Sequence, residues 1–223
     1  MKKFYFFFCL ILTGFLSHAQ INKGTIVLGG NIAYDETSSL SNTIPGTPLN
    51  KVTELSLNPS FGKAIKDNLV LGFDVAYTHM TNSFEPEYKD KSDGFGAGVF
   101  LRKYKPLGNG FYLFGQSRLG GNYSHGSNTN PPSPNGAVSD ITNGFGFSLQ
   151  FYPGIAYALN HRWQLEMGLP NFFVVNYSNS KETVAYAGQP NQVSRDNNFS
   201  VTSAITDTNE FTVGIRYLIS GSR

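Results

Sequence analysis

Residues 53–77 read TELSLNPSFGKAIKDNLVLGFDVAY. Thr53, Leu55, Leu57 and Phe61 fall on one parity, before a polar break at Lys63-Ala64-Ile65-Lys66-Asp67-Asn68. Leu69, Leu71, Phe73, Val75 and Tyr77 take up the same alternation after it. Between them stand Glu54, Ser56, Asn58 and Ser60, then Gly72, Asp74, Ala76 and Thr78. A period of two is the mark of strands with one fatty and one polar or small face. Each arm is about 10 residues, the length with which a tilted strand crosses a bilayer.

The unit recurs along the chain. Strand one is predicted at about 23–34. The two arms just described follow, and then strand four at about 93–104, strand five at 111–123 and strand six at 141–159. Strand seven starts at Trp163, with Pro170 as an interruption and 172–177 as its continuation. Strand eight covers about 199–219, and Pro153-Gly154 predicts a bulge or kink in strand six. Short turns at 63–68, 105–110 and 160–162 alternate with polar stretches at 35–50, 82–92, 124–140 and 178–198. This is the rhythm of an all-β, eight-stranded antiparallel up-and-down transmembrane β-barrel, with short turns at one end and long loops at the other.

Alternation alone does not say which face points outward. In a soluble barrel the non-apolar face would meet water and carry many charges. Here that face carries mainly Gly, Ser, Thr, Asn and Gln, and only 14% of all residues are charged. Small side chains suit the narrow bore of eight strands, so the apolar face is assigned to lipid. Its ends carry aromatic residues, as expected where a wall meets two interfaces. Phe61, Phe111, Trp163 and Tyr217 lie near the short turns, and Tyr34, Tyr77 and Tyr123 near the long loops. The inward parity holds Glu54, Asp74 and Glu166 with Arg102, Arg118 and Arg216. Buried charges must be paired or solvated, so a polar plug of ion pairs is expected. Glu166 and Arg216, on adjacent strands at similar depth, are the predicted contact.

Met1-Lys2-Lys3, the apolar run 4–16 and the small residues around Ser17 and Ala19 read as a secretory leader cleaved after Ala19. Residues 1–19 are therefore assigned to a signal peptide and 20–223 to the barrel. Loss of Lys2 and Lys3 takes a balance of 17 bases and 15 acids to zero. No basic patch remains for nucleic acid. The one cysteine, Cys9, leaves with the leader, which excludes disulfides and thiolate sites.

With the closing strand Phe211-Thr-Val-Gly-Ile-Arg-Tyr-Leu-Ile219 in place, the chain resembles the small outer-membrane β-barrel proteins of the OmpA/OmpX type. Within these it resembles the porin-like outer membrane protein β-barrel domain family, over about 21–220. The resemblance implies insertion by the barrel assembly machinery, contact with outer-membrane lipids and a role in envelope integrity or adhesion. It brings no catalytic residues. Export to the outer membrane of a Gram-negative bacterium is the expected localisation.

No histidine pair shows metal-ligand spacing, and Gly94-Phe-Gly-Ala-Gly98 reads as small interior residues, since no helix follows. His125-Gly126-Ser127 is similar to the His-x-Ser element of lipid A deacylases, but here it opens a predicted loop. The reading is a monomeric barrel without cofactor, metal or enzymatic activity, acting through its loops on an extracellular ligand or surface partner. The rivals are a narrow channel for small solutes and a lipid A-modifying enzyme.

Overall fold

The computed structural model describes residues 21–39, 50–84, 88–129, 137–169, 172–186, 188–203 and 212–219. The predicted leader lies outside them, as do the tips of several long connections. Ten strands are formed: β1 Ile26–Ser39, β2 Asn50–Lys66, β3 Leu69–Phe84, β4 Tyr88–Gly108, β5 Phe111–Thr129, β6 Ala137–Ala158, β7 Trp163–Gly168, β8 Phe173–Tyr186, β9 Gln192–Thr202 and β10 Thr212–Ile219. Sequential strands β1 to β6 pair antiparallel with their neighbours, β7 pairs with β6, and β10 joins β7 to β1. The sheet therefore closes on itself. β8 continues the course of β7 along β6, so β7 and β8 are one pass of the wall. β9 and β10 make the other half-and-half pass. The barrel has eight passes in ten strands, and the architecture is the expected one.

Three details differ from the sequence expectations. The predicted turns at 63–68 and 105–110 shrink to Asp67-Asn68 and Asn109-Gly110, because β2 runs to Lys66 and β4 to Gly108. Positive φ at Asn68 (58°), Asn109 (51°) and Gly110 (79°) makes these tight reversals, and Asn and Gly adopt that conformation most readily. The predicted loops are largely strand: most of 82–92 and 178–186 continues the ladders, and β9 begins at Gln192. Polar side chains hid this, since strands that rise above a membrane need no fatty face. The irregularity expected at Pro153-Gly154 falls on the facing pass. β6 runs on unbroken, and the extra residues lie between Gly168 and Phe173, with Leu169 N–H donating to the Pro153 carbonyl at 3.0 Å.

Side chains follow the predicted orientation. Phe73, Phe147 and Ile215 are 52%, 59% and 48% exposed on the outer wall, and Leu57 is half-exposed. From Phe111 to Tyr123 the β5 wall presents Leu113 and Leu119 outward. At about 3.4 Å per residue and a tilt of roughly 40°, that span rises about 30 Å, the depth of a hydrocarbon core. The lower aromatic band joins Trp163 to Tyr217 (ring centroids 4.7 Å apart) and Phe111 to Tyr157 (4.6 Å). The upper band runs through the cross-strand partners Tyr77, Phe95, Tyr123 and Phe145. Tyr34 stands exposed on β1, and Phe61 stacks on Phe73 at 5.4 Å.

Leu119 stands between outward Val99 and Leu149 in the middle of this wall. Leu119→Arg should lower stability by about 2–4 kcal/mol. The measurement is urea unfolding from lipid vesicles, with Leu119→Ile as the control that changes little.

Candidate functional site

The bore is the place where chemistry could reside, and it is built from the inward parity of each strand. At the short-turn end the plug is Phe100, Arg102 and Tyr104 from β4, Tyr112, Phe114 and Gln116 from β5, and Gln164 and Glu166 from β7, all buried. The segment before β1 crosses this end. Ile21 is buried there, its carbonyl accepts from Asn68 N–H (2.8 Å), and Gly24 N–H donates to the Ala64 carbonyl (2.8 Å).

Glu166 is the centre of the plug, 5% exposed, and faces Arg102, 2% exposed. Arg102 Nη1 donates to both Glu166 oxygens at 2.7 Å. Arg216 Nε donates to Glu166 Oε2 at 2.9 Å, and Tyr104 O–H to Oε1 at 3.0 Å. Arg102 also donates to Gln116 Oε1 (2.6 Å) and to the Tyr104 and Tyr152 hydroxyls (3.1 Å each). Its guanidinium lies 4.5 Å from the centroid of the Phe114 ring. One carboxylate thus serves two guanidiniums, and the remaining faces of Arg102 meet oxygens or a π face.

A second, separate pair lies higher in the bore. Arg118 Nε donates to Asp74 Oδ1 and Oδ2 at 2.9 and 2.8 Å, and Nη2 to Oδ1 at 2.6 Å. The structure thus brings together five of the six predicted interior charges, in two groups, with Arg216 also bonded to Ser60 Oγ. The sixth, Glu54, does not join them. It is exposed at the wide end and accepts from Ser56 Oγ at 3.2 Å.

Glycines make room for these heads. A Cβ on Gly29 would collide with Arg216 Cδ, and one on Gly98 would fall 2.7 Å from Arg118 Cζ. Above the two groups the bore widens into a cavity of about 450 Å³ whose walls include Asn31, Asn58, Thr78, Asn122, Ser148 and Asn176. Sequence reading missed the inward aromatics Phe100, Tyr104, Tyr112 and Phe114. Their signal was present, because they share parity with Arg102 and Gln116.

His125 is in β5 rather than at the mouth of a loop. It stands on the outer wall, its Nδ1 2.8 Å from Asn143 Oδ1. Among the described residues no hydrogen bond joins Ser127 to it. His79 Nδ1 lies 2.8 Å from Asp93 Oδ1, which also accepts from Tyr77 O–H at 2.9 Å. Among the described residues no group of three His, Cys, Asp or Glu side chains is placed to hold a metal ion.

The fold and this plugged bore define an outer-membrane-type β-barrel. No protein-family profile matches the chain, and no curated protein does. Among solved structures, the outer membrane protein OprG from Pseudomonas aeruginosa matches at TM-score 0.50 and 15% identity, over 92% of this chain and 100% of that one. Neisserial surface protein A matches at TM-score 0.41 and 19% identity, over 87% of this chain and 97% of that one. A major outer membrane protein from Thermus thermophilus matches at TM-score 0.41 and 12% identity, over 88% of this chain and 98% of that one. At these identities the likeness is one of fold, and the OmpA/OmpX resemblance is carried no further than that.

Two substitutions test the plug. Glu166→Gln leaves two guanidiniums around a neutral amide and should cost about 3–5 kcal/mol in urea unfolding. Gln164 is fully buried, and neither amide atom has a hydrogen-bond partner among the described residues. Gln164→Met keeps the volume and removes two desolvated polar atoms. It should be neutral or stabilising by about 1–2 kcal/mol in the same measurement.

Proposed function

We propose that this chain is an integral outer-membrane protein, exported with residues 1–19 as a cleaved leader. In this reading it works as a monomer and is inserted by the barrel assembly machinery. The short-turn end faces the periplasm, and the long hairpins stand outside the cell, where they meet a surface partner or extracellular ligand. The role is structural or adhesive rather than conductive or catalytic.

The observation that carries this reading is the sealed short-turn end. Arg102, Glu166, Arg216 and four buried aromatics fill the bore at that end, which speaks against a path for solutes. The strands meanwhile continue well beyond the upper aromatic band, as recognition hairpins on a rigid wall would. The shared fold with OprG, itself described as an outer membrane protein, supports the location.

The test has two parts. Cell fractionation should place the chain in the outer membrane, with a mature N-terminus at Gln20 and a gel mobility that shifts on heating. In planar bilayers the purified barrel should give no stable conductance steps. Stable steps that disappear in a variant with a bulkier plug would establish the channel instead, and a wholly soluble protein would overturn the membrane reading.

A further inference from the structure

The outer face of the β8–β9 hairpin is graded along its length. Register places Val175 opposite Val201, Tyr177 opposite Phe199, Asn179 opposite Asn197, Lys181 opposite Arg195 and Thr183 opposite Val193. Paired residues in an antiparallel ladder share a face. Rising from the membrane, that face passes from aliphatic to aromatic, then to amide, then to cationic. A lipid leaflet has the same sequence of layers: acyl chains, an interface that favours Tyr, then charged headgroups.

The cationic step is unusual in its pairing. Lys181 and Arg195 are directly opposed and both exposed. Like charges directly opposite in a sheet repel, since their Cβ atoms lie about 5 Å apart. Elsewhere on the outer face Lys51 meets Glu36 and His79 meets Asp93, each at 2.8 Å, while exposed Lys91 on β4 is a single cation opposite Thr81 and Ser127 rather than opposite a second base. Lys181 and Arg195 have no carboxylate within ion-pair distance among the described residues. Their acidic neighbours in sequence, Glu182 and Asp196, alternate to the other face of the hairpin.

The layer beneath is ordered. Asn179 Nδ2 donates to Asn197 Oδ1 at 2.7 Å, and Tyr177 O–H donates to the same oxygen at 3.2 Å. Level with Lys181 on the next strand, its cross-strand partner Asn143 accepts from Tyr123 O–H below it at 2.8 Å, beside His125. Two cations over a polar shelf, directly above aromatic side chains, suit an oxyanion with several acceptor atoms held at headgroup depth.

We propose that Lys181 and Arg195 form a binding site for the phosphorylated headgroup of an outer-leaflet glycolipid, with Tyr177 and Phe199 against the upper part of its acyl chains. The proposal rests on the long hairpins lying on the extracellular side, as argued above. It goes beyond that reading by naming a ligand class and two residues for it.

The experiment uses the mature barrel in micelles doped with a diphosphorylated glycolipid or with its dephosphorylated analogue of identical acyl chains. Native mass spectrometry counts the lipid retained after release from the micelle. The wild type should retain the phosphorylated form at least tenfold more than the analogue. Lys181→Gln/Arg195→Gln should lose that preference, and Lys51→Gln, altering a lysine already paired with Glu36, should keep it. Both sites are exposed, so the double variant should keep its heat-shifted gel mobility; if it does not, each single variant is read in its place. Equal retention of both lipids by the wild type, or an unchanged preference in the variant, overturns the proposal. So does binding of inorganic phosphate in undoped micelles as tight as that of the lipid, which would assign a site for soluble anions. A barrel that enters membranes and shows no preference sinks this inference alone. A chain that never enters them sinks the functional reading first.

Discussion

A sheet that crosses hydrocarbon must leave no backbone donor or acceptor unpaired there, because no water is available to replace the missing bond. The pairing of β10 with both β1 and β7 answers this constraint along Ile26–Gly30 and Thr212–Ile219, where it converts a row of strands into a ring. Most other features follow from closing a ring of eight. The bore is only wide enough for side chains. The outer wall has to be fatty, and the inner face has to be small wherever something large projects from the other side.

The interior satisfies those demands by division of labour. Gly29 and Gly98 leave space where Arg216 and Arg118 lie, and Gly154 leaves space for the Phe114 ring, whose Cζ would collide with an added Cβ. Arginine suits such a bore because its planar head can bond in several directions and still stack on a ring. Glu166 is placed between Arg102 and Arg216, so the plug holds two bases per acid at its centre. The remaining charge is spread over the Gln116 amide, the Tyr104 and Tyr152 hydroxyls and the Phe114 face. Dense, bonded packing at this end contrasts with the polar cavity and long hairpins at the other, a contrast that separates the part that holds the barrel from the part that can vary.

The outer wall also carries information beyond simple fattiness. Along β5 and β6 the pairs Leu119–Leu149, Tyr123–Phe145 and His125–Asn143 repeat the order seen on β8 and β9. The same order is thus written on both strand pairs, with Tyr123–Phe145 two residues higher in register than Tyr177–Phe199. His125, part of the His-x-Ser element seen in the sequence, fits this order as a polar residue just above Tyr123.

Period-two alternation was enough to read the strands, their number of passes and the outward face, because the pleat ties side-chain direction to residue parity without reference to the rest of the fold. Parity likewise placed Asp74, Arg102, Arg118, Glu166 and Arg216 in the bore. It also grouped Glu54 with them, because alternation does not tell how far along the wall a residue stands, and Glu54 is exposed beside Ser56. Alternation faded in the polar upper hairpins, so 82–92 and 178–198 read as loops although backbone hydrogen bonds carry strands through 82–84, 88–92, 178–186 and 192–198. Adjacency in the sheet made Glu166 with Arg216 foreseeable, but not Glu166 with Arg102 or Arg118 with Asp74. Those contacts join strands that are not neighbours in the sheet, and they exist only because the ring's curvature brings distant inward side chains to a common axis.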